Sequence, residues 1–271
     1  MTVAYRDRAS VLIWAVLIGL VAERLFILPA ALLIGNVLGS EVTLPLTGGT
    51  VLGLLLIGMV ISGTDAVVRA HPRSQTGELR YRWAFCGLPS AMILVALLLL
   101  PLAPSVLYWA TGLALTGASL GLAMTGIYHT ADPFATGYRR ARLGLNALTY
   151  AIALIIFLVV YQTRVRSILS ATEVMVLSGL LALELLRGSE RPLRLVALYA
   201  GIAGLILGEA TWALNYWRLT SLTGGLLLLV LFYDVVGLAQ HAIQGRMTRR
   251  VLFEFVLISV ATLALIWQFA S

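Results

Sequence analysis

Lysine is missing: all nineteen basic residues of this 271-residue chain are arginine. Without a lysine amine there is no Schiff base to retinal or pyridoxal, which excludes a heptahelical light-driven pump. Cysteine occurs once, at Cys86, so an internal disulfide, a C-x-x-C redox pair and a cysteine-built metal site are excluded as well. Charge is scarce too, at 11% of residues, where a soluble domain carries about 25%. Apolar residues take its place, at 60%, with a mean hydropathy of +0.96. Neither a water-soluble globule nor a disordered or collagen-like chain has this make-up. It is that of an all-α polytopic membrane protein, read as one transmembrane helical domain over residues 1–271. The net charge of +7 does not point to nucleic acid, because the arginines are scattered among short loops where they act as orientation signals beside anionic headgroups.

A window of about 20 residues, the length that crosses a bilayer, gives nine candidate spans. They are Val11–Gly35, Leu44–Val68, Trp83–Leu102, Ser105–Tyr128, Leu143–Tyr161, Ile168–Leu186, Leu193–Tyr216, Leu219–Ala242 and Val251–Phe269. Breaks fall at Pro45, Pro101, Pro104, Pro133 and Pro192 and at arginine-bearing turns. The first apolar run is longer than the 7–15 residues of a signal-peptide core, so it is taken as a retained first span. Loop arginines divide unevenly. One side collects Arg6 and Arg8; Arg69, Arg73, Arg80 and Arg82; Arg139, Arg140 and Arg142; Arg187, Arg191 and Arg194; and Arg246, Arg249 and Arg250. The other side has Arg164, Arg166 and Arg218, while Arg24 lies within a span. That bias predicts a cytoplasmic N-terminus and an external C-terminus, in a prokaryotic plasma membrane.

Leu46-Thr47-Gly48-Gly49 opens span two and Leu222-Thr223-Gly224-Gly225 opens span eight, with Asp65 and His241 at equivalent distances beyond them. A parallel repeat of helices 1–2 and 7–8 is one account; chance in a chain rich in Leu, Thr and Gly is the other. Gly117 and Gly121 in span four, and Gly204 and Gly208 in span seven, have the G-x-x-x-G spacing of close helix approach. Both spans are therefore expected to be central. Gly117-Ala118-Ser119-Leu120-Gly121 also spells G-x-S-x-G, but that nucleophile motif needs a strand-to-helix turn. The rhomboid serine motif, G-x-S-G, wants glycine where Leu120 stands.

Ionisable residues at hydrocarbon depth are costly and normally face a bundle interior or a wet cavity. Glu23 and Arg24 fall near the middle of span one, Glu209 in the outer half of span seven and Asp234 near the middle of span eight. On helical spacing Trp212 and Asn215 lie near Glu209, and Tyr233 adjoins Asp234. These seven form a candidate pathway for a ligand or protons, or else ion pairs that pin helices together. A second polar set gathers at the cytoplasmic ends: Asp65, His71, Tyr128, His129, Asp132, Glu184, Gln240 and His241. Histidine and carboxylate suit zinc, yet no H-x-x-x-H or H-E-x-x-H pair occurs, and neither metal nor cofactor is assigned.

Three functions fit. The first is a small integral membrane carrier or binding subunit for a small ligand, with protons coupled through Glu23, Glu209 and Asp234. The second is a membrane-embedded enzyme acting on lipid through Asp65, His129, Glu184 and His241. The third is a non-catalytic subunit whose charges pair with another protein. The expected partners are the bilayer, a small ligand or lipid, and a second copy or a partner membrane subunit.

Overall fold

A computed structural model describes residues 3–25, 31–37, 40–46, 48–75, 82–163, 167–188, 192–217 and 220–270. Thr47 of the Leu-Thr-Gly-Gly echo, and Arg80, Arg164, Arg166, Arg191 and Arg218 of the orientation count, lie outside the described residues. The chain divides after Arg142 into two compact units.

The first unit opens with α1 (Val3–Leu25), followed by strands β1 (Ala31–Val37) and β2 (Ser40–Leu46). Next come α2 (Gly48–Arg69), the short α3 (Pro72–Gln75), α4 (Gly87–Leu99) and α5 (Val106–His129). A single helix, α6 (Tyr138–Thr163), carries the chain across the division. α1 packs on α2 and α5, and α4 on α2 and α5. The core is built from residues four apart on one helix face: Leu12, Val16 and Leu20 of α1 and Leu56 and Val60 of α2 are all buried, on two helices that pack together.

The chain is helical in class; the antiparallel β1–β2 hairpin, with Val37 opposite Ser40 and Ala31 opposite Leu46, lies between α1 and α2 and corrects both spans flanking it. α1 ends at Leu25 rather than Gly35, and α2 begins at Gly48 rather than Leu44. Pro29 lacks an amide donor and disfavours helix in the residue before it. Pro45 is tolerated in β2 because both strands of a two-stranded sheet are edges.

In the second unit, α7 (Ser167–Leu186), α8 (Leu193–Leu214), α9 (Ser221–Ile243) and α10 (Arg249–Ala270) follow the Leu143–Thr163 part of α6. α7 and α8 form its most extensive helix pair; α8 packs on α9, and α9 on α10. Tyr161 of α6 lies against Gly224 of α9 and Leu158 against Gly225, so the second Leu-Thr-Gly-Gly is a close-packing patch. The Tyr161 hydroxyl donates to the carbonyls of Leu214 and Trp217 (3.1 and 3.3 Å), capping the end of α8. α9 closes on Gly245, whose φ of +68° suits glycine. There the amides of Arg246 and Gly245 bond back to the carbonyls of His241 and Ala242, a Schellman closure.

Among the described residues five helices are long and apolar enough to cross a membrane: α2, α5, α6, α8 and α9. The chain thus has the make-up of a helical membrane protein. α4, with 13 residues, rises about 20 Å, short of a hydrocarbon core of about 30 Å. The expected central place of span four is not what α5 shows, since only 17% of its apolar window is buried, against 44% for α9. Its Gly117 does serve close approach, to Leu17 of α1. Two glycines of α8 meet α7 backbone directly, Gly204 at Met175 and Gly179 and Gly208 at Ala171.

Candidate functional site

With α1 ending at Leu25, Glu23 and Arg24 sit in its last turn and not at the middle of a span. A cation is favoured at that end of a helix, and the Arg24 guanidinium lies 5.1 Å from the centre of the Trp109 ring on α5. Arg24 is exposed, and an arginine over an indole face is held there by the ring quadrupole. Arg24 therefore has a partner inside its own unit.

The remaining mid-membrane candidates belong to the second unit. Glu209 and Trp212 share an exposed face of α8, where Trp212 meets Tyr216 edge-on at 6.0 Å. Asn215 caps α8 and turns to α7, donating from Nδ2 to Ser170 Oγ at 2.8 Å. Asp234 turns to α10, where Ser259 Oγ donates to its Oδ2 at 2.5 Å. Its other oxygen, Oδ1, is buried and has no hydrogen-bond partner among the described residues. Tyr233 stays exposed between Tyr150 (6.0 Å) and Phe255 (5.9 Å). The second unit therefore orients Asn215 and Asp234 toward different neighbours.

Ser259 and Phe255 were not singled out from the sequence. A lone hydroxyl in the apolar run Val256–Ala261 was the available signal for Ser259, although serine in a membrane helix can also bond its own backbone. Ser259 Oγ also lies 2.8 Å from Phe255 O, so its single proton is shared between the Asp234 carboxylate and its own helix. His241, two turns along α9 from Asp234, faces the same neighbour: its ring lies 5.9 Å from Phe255, and Nδ1 is buried without a partner. Gly237, between them, has the Phe255 ring where a side chain would stand. The α9–α10 seam thus holds two buried polar atoms with unmet hydrogen-bonding capacity, separated by an aromatic ring.

The second polar set is divided between the two units. Asp65 takes Arg69 (2.5 Å) and Arg82 (2.8 Å) in the first unit. Glu184 is 1% exposed and pairs with Arg187 at 2.7 Å in the second. His129 is exposed, its ring 5.7 Å from that of Tyr128. Carboxylates already committed to arginines are poor general bases, and among the described residues no three His, Cys, Asp or Glu side chains converge on a common point. Ser119 donates to Thr116 O at 3.0 Å within α5, as a packing serine does.

A family profile described as a protein of unknown function, DUF5656, matches residues 28–268. The chain belongs to the DUF5656 family. No curated protein and no solved structure matches it.

What this DUF5656 member builds at the ends of α1, α2 and α5 is an aromatic and histidine cluster. Tyr5 stacks on Tyr128 at 3.9 Å, His71 meets Tyr128 edge-on at 5.0 Å, and Arg73 pairs with Asp132 at 3.2 Å. His71 Nδ1 accepts the Arg73 amide at 3.3 Å, so the ring is held as an acceptor. Burial, above all, holds His71 below its ordinary value of 6.5; Asp132 opposes this, while Arg73 and His129 add to it. The unfolded chain therefore takes up this proton at a higher pH than the folded one. Stability is greatest above pH 6.5, falls as the pH drops through that value, and levels off beneath the folded-state value. The unfolding midpoint of the wild type should drop more between pH 7.5 and 5 than that of His71→Phe. Parallel curves for the two proteins would show that His71 carries no such linkage.

Proposed function

We propose that this DUF5656 member is a multi-pass membrane carrier or ligand-binding subunit in which Asp234 is the titrating group of a proton-accessible site on the α9–α10 seam. The observation that carries the reading is the half-satisfied carboxyl: Ser259 serves one oxygen, and the other is buried with no donor among the described residues. At hydrocarbon depth an ionised carboxylate with an unserved oxygen is costly. A proton, or a guest that donates a hydrogen bond, removes that cost. A site of this kind changes state by taking up and releasing what it lacks. Glu209 and Trp212, on an exposed face of α8, supply a second polar position facing lipid, another copy or a partner subunit.

The same reading has nine crossings in a prokaryotic plasma membrane: α1, α2, α5–α10, and α4 lengthened by the 3-10 turns that flank it, Arg82–Phe85 and Leu100–Leu102. The N-terminus lies on the arginine-rich cytoplasmic side and the C-terminus outside. α1–α2 and α8–α9 are its repeated hairpins. Support comes from the arginine bias and from the five apolar helices.

Protons are themselves the probe. Purified protein is reconstituted into liposomes that enclose a pH-sensitive dye, and the outside is acidified. Wild-type vesicles should acidify faster than protein-free ones. Asp234→Asn should fall back to the protein-free rate, while Asp234→Glu keeps part of the flux. Wild-type flux in Asp234→Asn removes Asp234 from the pathway, and a wild type no faster than empty liposomes removes proton coupling altogether.

A further inference from the structure

α1 and α2 run antiparallel, and glycines mark two of their close approaches. Gly19 leaves room for Leu56, and at Gly63 an added Cβ would lie 2.5 Å from a Leu12 methyl. Beside these contacts the two helices leave a groove of about 710 Å³, walled by Val11 and Ala15 of α1 and by Leu54 and Met59 of α2. Val11 is 70% and Leu54 66% exposed, so the groove opens outward. Gly58 lies in the groove, and nothing stands within 4 Å of where its Cβ would be. From Leu54 to Ala66 the groove follows α2 for about 18 Å, at 1.5 Å per residue. One leaflet of a hydrocarbon core is about 15 Å deep.

One end is apolar and the other is basic. Arg8 lines the groove and donates from Nη1 to Ala66 O at 2.7 Å. One turn beyond Ala66, Arg69 is exposed and shares Asp65 with Arg82. Asp7 is on the same rim. Three guanidinium groups against two carboxylates leave one net positive charge, the complement of one phosphodiester. This end also belongs to the arginine-rich side of the chain, where anionic headgroups collect.

We propose that the α1–α2 groove binds one anionic phospholipid, with an acyl chain laid over Gly58 and the phosphate at Arg8 and Arg69. The inference rests on the chain being a membrane protein and is independent of Asp234. The glycine keeps the groove deep enough for a chain, and the arginines set the headgroup preference. A second copy of this chain would cover the same face, but it brings no anion to the basic end.

Native mass spectrometry of the full-length protein in detergent tests this, with phosphatidylglycerol or phosphatidylcholine of the same acyl chains added. The wild type should keep one phosphatidylglycerol at energies that strip phosphatidylcholine. Gly58→Leu fills the groove and should lose the adduct. Gly144→Leu, at another glycine with nothing within 4 Å of its Cβ, should bind as the wild type does. Arg8→Gln should lower the preference for phosphatidylglycerol about fivefold, the effect of one arginine near an anionic surface. An undiminished adduct in Gly58→Leu, equal retention of the two lipids by the wild type, or a bound mass equal to a second chain overturns the proposal. Should Gly58→Leu fail to fold, an unchanged lipid preference in Arg8→Gln overturns it as well.

Discussion

Arg187→Met is expected to destabilise the protein by about 3–5 kcal/mol, the usual cost of removing one member of a buried ion pair. Glu184 is 1% and Arg187 5% exposed, and they meet at 2.7 Å at the end of α7. With the guanidinium gone, the Glu184 carboxylate stays buried and loses the arginine that meets it at 2.7 Å. Methionine keeps most of the length of the stem, so the loss is mainly electrostatic. The double variant Glu184→Leu/Arg187→Met should return to within about 1 kcal/mol of the wild type, because a well-packed apolar pair avoids the desolvation that the ion pair has to overcome. Both are measured as unfolding midpoints in a mixed-micelle SDS titration. A single variant as stable as the wild type would mean that solvent or headgroups screen the pair. The same experiment bears on the enzyme hypothesis, since a carboxylate that the fold requires for its integrity is not free to act as a base.

The helices were legible where hydropathy alone decides them. α2, α5, α6, α8 and α9 start and stop within about five residues of the expected Leu44–Val68, Ser105–Tyr128, Leu143–Tyr161, Leu193–Tyr216 and Leu219–Ala242. The β1–β2 hairpin was not, because a 20-residue window averages Ala31–Leu46 into its apolar neighbours, and a short apolar run reads the same as strand or helix. The local signals were present: Pro29, Pro45, and Gly39 between the strands. Missing the hairpin moved Glu23 and Arg24 from a helix end to a false mid-span position. In the candidate site, residue types were legible and partners were not. Asp234 could be picked out as a lone acid in an apolar helix, whereas Ser259, 25 residues away, becomes its partner only through α9–α10 packing. Asp65 and Arg82, 17 residues apart, pair for the same kind of reason. Spacing along one helix predicts neighbours three or four residues on; contacts between helices depend on which faces pack.

Gly204→Leu should be the most damaging single substitution on α8. A Cβ at Gly204 falls on the Met175 carbonyl oxygen and comes within 3.1 Å of the Gly179 amide nitrogen. These are backbone atoms of α7, which cannot rotate aside as a side-chain tip can, so the two helices must separate. In a membrane, where lipid is as apolar as leucine, helix association depends on such close packing, and overpacking typically costs about 1–3 kcal/mol. The cost should lie at the upper end, because α7 and α8 are the most extensive helix pair of their unit. Gly201→Leu is the matched control. It lies three residues upstream on the same helix, and nothing stands within 4 Å of its Cβ. It should be neutral or stabilise by a few tenths of a kcal/mol up to about 1 kcal/mol, since leucine is the better helix former. A mixed-micelle unfolding titration of both variants separates the two effects. Equal midpoints would mean that the α7–α8 approach is looser than the glycine contacts imply, and the G-x-x-x-G spacing of Gly204 and Gly208 would then say nothing about how this helix pair is held.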